Sequence, residues 1–112
     1  MIKIGTDIVL NSRFSEYRES LFEHLFTPYE RKEAENRVNK SEYYGSRFAS
    51  KEALVKALGT GFMGITPLDI EIREDSMGAP YILLRGKRKE TIHLSISHDG
   101  DYSLAFVVIE NE

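Results

Sequence analysis

After Pro67 the hydrophobic pattern changes from helical to period two, and that change constrains the fold more than any other feature. Ahead of it, residues 41–58 (SEYYGSRFASKEALVKAL) are rich in Ala, Leu, Glu and Lys and are stopped by Gly59 and Gly61, which predicts one long helix. Beyond it, period-two patterns in DIEIRED (69–75), PYILL (80–84), IHLSISH (92–98) and YSLAFVVI (102–109) predict strands. Turn signals at Ser76-Met77-Gly78 and Asp99-Gly100-Asp101 join them as two hairpins. At the start, residues 2–9 read as a buried strand ending near Asp7. Residues 11 to about 23 read as a helix, with Asn11 or Ser12 as its cap and Phe14, Tyr17 and Leu21 on one stripe. Thr27-Pro28-Tyr29-Glu30 reads as a capping box opening a charged, exposed helix that fades near residues 36–39. Strand, helices, then strands make an α+β fold, a mainly antiparallel sheet packed on the long helix. No linker or repeat divides residues 1–112, which read as a single domain large enough to bury about two thirds of its unfolded surface.

The long helix carries the residues of most chemical interest. On a wheel of about 100° per residue, Tyr44, Phe48, Leu54, Val55 and Leu58 share one arc and Ala49, Ala53 and Ala57 form a second, small-residue face. Glu52 and Lys56 fall in the gap, at a seam between packed elements. By spacing alone the balance favours a solvated pair, since Glu four residues before Lys is the favourable orientation and contributes about 0.3–0.5 kcal/mol. Arg47 and Lys51 interrupt the Leu/Phe arc, either as snorkelling stems or as anion contacts. Asp7, by itself a turn or cap residue, takes on a second reading beside Glu52. Two carboxylates directed to one place repel unless neutralised, and Mg²⁺ does this while keeping positions open for water and phosphate. His98 enters a turn, where a histidine is either a surface residue or a donor to phosphate. Nothing lifts His24 or His93 above a surface role.

Other chemistries are disfavoured. The chain has no cysteine and no His-x-x-x-His spacing, so disulfides, zinc–thiolate sites and other zinc sites are not expected. GTGFMG follows a helix where a phosphate-binding Walker loop follows a strand, and Ile65 stands where its lysine belongs. A formal net charge of −3 argues against bulk nucleic-acid binding. MIKIGTDIVL is too polar for a signal-peptide core and no apolar run reaches the ~20 residues of a membrane span, so a cytoplasmic protein without membrane or nucleic-acid partners is expected.

Taken in order, GTDIV (5–9), RFASKEALVKALGTG (47–61), DIEI (69–72) and LSISH (94–98) resemble the holo-[acyl-carrier-protein] synthase family of small phosphopantetheinyl transferases. LFTPYE (25–30), GAPYI (78–82) and YSLAFVVIE (102–110) extend the resemblance over nearly the whole chain. It implies the 4'-phosphopantetheinyl transferase fold, assembled as a homotrimer with active sites between subunits. It also implies Mg²⁺-dependent transfer of 4'-phosphopantetheine from coenzyme A to a serine of apo-acyl carrier protein, releasing adenosine 3',5'-bisphosphate, in support of fatty acid biosynthesis.

By the same resemblance Asp7 and Glu52 match the magnesium ligands and Lys56 the lysine near the coenzyme A phosphates. Arg47 and His98 match positions lining the nucleotide and pyrophosphate site, and Gly59, Gly61 and Pro80 border the coenzyme pocket. Glu52, directly or through a metal-bound water, is the preferred base for the serine, with His98 as second candidate. The carrier protein is acidic in this family, so Arg13 and Arg18 are the expected docking patch. Leu10 stands where many relatives have a glutamate, Ala79 where a lysine is common, and Asp99 where a small hydroxyl residue is usual. Two further readings remain at this level: a metal-dependent phosphodiesterase using the same carboxylates, and a non-catalytic trimeric binding module.

Overall fold

A computed structural model describes residues 1–59 and 64–110. In chain order the elements are β1 (Ile2–Leu10), a 3-10 turn (Asn11–Phe14), α1 (Glu19–Leu25), α2 (Pro28–Ala34), α3 (Lys40–Leu58), a second 3-10 turn (Pro67–Asp69), β2 (Ile70–Glu74), β3 (Pro80–Leu84), β4 (Lys87–Arg88), β5 (Ile92–Asp99) and β6 (Tyr102–Glu110). The architecture is α+β and every strand pairing is antiparallel. The strands form two three-stranded sheets, ordered β1-β6-β5 and β2-β3-β4, with α3 against the first.

The period-two segments form strands as predicted. Asp75 closes the β2–β3 turn by accepting the backbone N–H groups of Met77 and Ala79 at its Oδ1, 2.9 and 3.0 Å away, the pattern of an Asx turn. Gly100 and Asp101 join β5 to β6, and Gly100 takes a φ of 57°. The capping box at α2 is also present, with Thr27 and Glu30 exchanging side-chain and backbone bonds. Asn39 caps α3 by accepting from Glu42 N–H, and Gly59 ends it at φ 74°, ψ −171°, a conformation that needs glycine.

Three expectations are corrected. The helix foreseen over residues 11–23 is broken into a 3-10 turn and α1. Asn11 does not cap it, because its side chain is buried and bonded to Ser103. Phe14 instead turns inward onto Phe22, Phe26 and Phe48, with ring centroids 5.4–5.9 Å apart. α2 is not simply an exposed helix, since Glu30 is fully buried. β1 is a strand, but its isoleucines are not the buried set: Ile2, Ile4 and Ile8 are exposed while Gly5 and Val9 face α3.

That choice of face follows from packing. A Cβ on Gly5 would collide with the carbonyl oxygen of Ala53 and lie 2.7 Å from the backbone nitrogen of Ala57, so β1 touches α3 backbone to backbone. Ala49, Ala53 and Ala57, all buried, are the small-residue face that permits this approach. With the odd-numbered side of β1 committed to the helix, the alternation sends Ile2, Ile4 and Ile8 outward. The core proper joins the aromatic cluster to Leu54, Ile70, Ile72, Ile82, Val107 and Ile109. Each fully buried side chain of this kind contributes about 1.5–3 kcal/mol relative to exposure.

Candidate active site

Where β1 meets α3, the Glu52–Lys56 pair that spacing alone favours does not form: no ion pair within 4 Å joins them among the described residues. The Lys56 ammonium instead donates to Asp7 Oδ1 and to the Thr6 carbonyl, each at 3.0 Å. The lysine side chain is 58% exposed and that of Asp7 only 17%, so a mobile cation rests on a partly sheltered carboxylate. Glu52 lies about one turn back along α3, about 6 Å along the axis, and is half-buried. The seam therefore holds Asp7 and Lys56 in contact, with Glu52 one turn away on the same helix.

Among the described residues no group of three or more metal-ligating side chains converges here or elsewhere. A pair of hard oxygen donors nevertheless suits Mg²⁺, which keeps several waters and binds through one or two carboxylates together with substrate phosphates. The donor set fits that ion and argues against zinc, which would call on nitrogen or sulfur.

A second cluster forms at the N-terminal half of α3. Arg37, Asn39, Glu42, Tyr43, Ser46, Arg47, Glu74 and His98 line a cavity of about 170 Å³. Arg47 is buried, stacked on Tyr43 with its guanidinium carbon 4.1 Å from the ring centroid, and donates to Glu74 Oε2 at 3.2 Å. Arg37 donates to Glu74 Oε1 at 3.0 Å. Burial works to raise the Glu74 carboxyl, but the bonds from both arginines outweigh it and hold the group below its ordinary range. Burial also pushes the Tyr43 hydroxyl up to about 12, against the pull of Arg47, so it stays a neutral donor. Tyr43 Oη and Arg47 Nε are buried without a hydrogen-bond partner. Unsatisfied donors beside a pocket of this size mark a place where an acceptor-rich anion gains bonds the empty protein lacks.

His98 stands opposite Ser103 in the β5–β6 ladder, on the helix-facing side of the sheet. Its Nδ1 is 2.9 Å from Ser103 Oγ, which in turn donates to Asn11 Oδ1 at 2.7 Å. Arg47 and His98 both line this cavity. Pro80 lines a different opening of about 640 Å³ between β3 and β5, with Tyr81, Arg88, Lys89 and His93. Gly59 is exposed at the end of α3, and Gly61 lies outside the described residues. Arg13 and Arg18 are both exposed, the first with its guanidinium carbon 5.4 Å from the Phe48 ring centroid, the second at the N-terminus of α1. Leu10 closes the outward row of β1, and Ala79 and Asp99 are exposed at turns.

Lys51 is neither a snorkelling stem nor an anion contact. Its ammonium is buried and fully used, donating to Glu30 Oε1 at 2.7 Å, Leu25 O at 2.8 Å and Pro67 O at 2.9 Å. Burial lowers its pKa, and the Glu30 carboxylate opposes that shift. Glu30 Oε2 accepts from Ile72 N–H, so the pair ties α2, α3 and β2 together. Sequence reasoning missed Arg37, Tyr43 and Ser46 as cavity residues. Only the position of Tyr43 and Ser46 one turn and one residue before Arg47 could have indicated them.

One surface is unlike the rest. Ile2, Ile4, Ile8 and Leu10 of β1 stand beside Tyr102, Leu104 and Phe106 of β6, all exposed, and the register sets Ile8 against Leu104 and Leu10 against Tyr102. A contiguous apolar sheet face marks an association surface.

The chain is similar to proteins of one family. The sequence model of the 4'-phosphopantetheinyl transferase superfamily matches residues 3–107. A holo-[acyl-carrier-protein] synthase of Halothermothrix orenii is 43% identical, the match covering 96% of this chain and 95% of that protein. One of Wolbachia pipientis is 45% identical over 95% of this chain and 91% of that protein. Among solved structures, a holo-(acyl-carrier-protein) synthase from Bacillus anthracis in complex with CoA (3',5'-ADP) superposes with a TM-score of 0.84 at 36% identity, covering 98% of this chain and 96% of that one.

Proposed function

The chain belongs to the holo-[acyl-carrier-protein] synthases of the 4'-phosphopantetheinyl transferase superfamily, an enzyme family, and from that membership we propose its reaction, site and assembly. It transfers 4'-phosphopantetheine from coenzyme A to a serine hydroxyl of apo-acyl carrier protein. The serine oxygen forms a bond to the phosphorus bearing the pantetheine arm as that phosphorus parts from adenosine 3',5'-bisphosphate, and the serine proton passes to a base. The observation that carries this reading is the Lys56–Asp7 contact, which sets an exposed ammonium on a carboxylate one helical turn from Glu52.

Asp7 and Glu52 are the residues that would hold Mg²⁺. When bound, that ion supplies charge neutralisation to the pyrophosphate under attack. Lys56 leaves Asp7 for the leaving phosphate and neutralises its developing charge. Glu52 takes the serine proton, directly or through water, with His98 as the alternative. Arg47, with Arg37 and Tyr43, donates to a phosphate group of the nucleotide, His98 lines the same cavity, and Pro80 and the glycines after α3 border the coenzyme. Arg13 and Arg18 steer the acidic carrier, an interaction that weakens with salt.

The apolar face of β1 and β6 supports a homotrimer in which neighbouring subunits complete each site, which accounts for Pro80 standing apart from Asp7 within one chain. Among the described residues no helix is long and apolar enough to cross a membrane. We place the enzyme in the cytoplasm, in fatty acid biosynthesis.

The test is the mass of the carrier. Incubated with coenzyme A, Mg²⁺ and apo-acyl carrier protein of its host, the enzyme should add one phosphopantetheine to the carrier and release the bisphosphate stoichiometrically. Bisphosphate without carrier modification would identify a phosphodiesterase. Carrier binding without turnover, with an established transferase active on the same carrier, would identify a binding module.

A further inference from the structure

The polar chain behind His98 has a direction, and the direction fixes which nitrogen of the ring is open. Ser103 is fully buried and Asn11 is 1% exposed, so each polar atom must be satisfied inside the protein. Ser103 has one hydroxyl proton and gives it to Asn11 Oδ1 at 2.7 Å. Towards His98 Nδ1, 2.9 Å away, Ser103 Oγ can therefore only accept, and Nδ1 must carry the hydrogen. Glu42 Oε1 is 3.9 Å from the same nitrogen, too far for a hydrogen bond, so it does not compete for that proton. A neutral ring with its hydrogen on Nδ1 leaves Nε2 bare.

Two further features serve this arrangement. Asn11 donates its backbone N–H to the Asp101 carbonyl at 2.7 Å, which fastens the start of the chain to the turn between β5 and β6. Gly45 of α3 leaves the space that the Asn11 amide fills, since a Cβ there would collide with Asn11 Oδ1. We infer that Asn11 and Ser103 are positioning residues for His98, holding its imidazole in the Nδ1–H tautomer so that Nε2 is available as a proton acceptor at the Arg47 cavity. In the opposite tautomer Nε2 carries a hydrogen and cannot take a proton from an attacking hydroxyl. The role in the reaction rests on the proposed transferase site; the tautomer itself does not.

Long-range ¹H–¹⁵N spectra of the ¹⁵N-labelled full chain report the tautomer directly, with His98→Gln assigning the signals among the three histidines. At a pH where the ring is neutral, wild type should show a protonated Nδ1 and a bare Nε2. Asn11→Ala frees the Ser103 proton to turn towards Nδ1 and should move His98 to the Nε2–H form. Asn11→Asp, whose carboxylate can only accept, should keep the wild-type form. In kinetics N11A should lower kcat about tenfold, short of the ~10²-fold or more that removing a positioned acid or base costs. KM for coenzyme A should stay within about twofold, and N11D should recover rate relative to N11A. A wild-type ring protonated on Nε2, or an N11A ring that keeps Nδ1–H, overturns the inference. Should N11A fail to fold, wild type and N11D decide, since conversion of the ring in N11D also overturns it. If the tautomers behave as expected while saturating coenzyme A leaves the His98 signals unmoved, the relay stands and the reading of the site falls.

Discussion

Lys56 shows how one ammonium can be useful in two places. In the unliganded chain it neutralises Asp7 at the surface, an interaction worth no more than about 1 kcal/mol at such exposure. Lys56→Ala should therefore leave the thermal unfolding midpoint nearly unchanged while turnover drops by about 10²-fold, as when one preorganised charge-stabilising donor is removed. A variant that aggregates or melts early would make the lysine structural. Glu74 permits a second prediction. Its folded pKa lies below the ordinary 4.5, so between the two values the unfolded state binds more protons and stability rises with pH. Acidification below about pH 4.5 should thus destabilise the protein progressively, and Glu74→Gln should flatten that part of the midpoint-against-pH curve. The family resemblance, and not spacing, singled out Asp7, Glu52, Lys56, Arg47 and His98 as candidates in the sequence. It could not reveal that Lys56 prefers Asp7, 49 residues away, to the glutamate on its own helix. Lys51 was opaque for the same reason, its partner Glu30 being 21 positions distant.

At the level of elements, the buried Lys51–Glu30 pair is the pin of the fold's helical side. Lys51→Met leaves Glu30 buried and uncompensated, and removing one partner of such a pair costs about 3–5 kcal/mol. Chemical denaturation should show that loss, and a change below about 1 kcal/mol would mean that Glu30 finds another partner or a proton. Strand positions were legible from their period, and the long helix from its Ala, Leu, Glu and Lys content and its glycine stop. The break after Phe14 was not, since Phe14, Tyr17 and Leu21 keep helical spacing even though residues 15–18 are not helical. Only the aromatic partners of Phe14, supplied by α1 with its C-cap and by α3, decide that the chain turns there. The facing of β1 was likewise hidden, because alternation separates two sets of side chains without saying which meets the helix.

The whole molecule adds a surface that single-chain burial does not use. If the apolar face of β1 and β6 joins subunits, Phe106→Glu or Ile4→Glu should yield a dissociated, inactive protein whose secondary structure persists. Sedimentation with circular dichroism would check this, and a trimer surviving both substitutions would assign assembly to another surface. The wild-type melting temperature should also rise with protein concentration. Finally, Gly5 has a meaning beyond packing. With no side chain between β1 and α3, the distance from the strand bearing Asp7 to the helix bearing Glu52 and Lys56 is set by the radii of peptide atoms. Substitutions in the surrounding core can loosen the protein as a whole but have nothing to pad or trim at this joint. Such a joint admits little change where Gly5 meets the face of Ala49, Ala53 and Ala57, and at Gly5 even a single methyl group acts as a wedge.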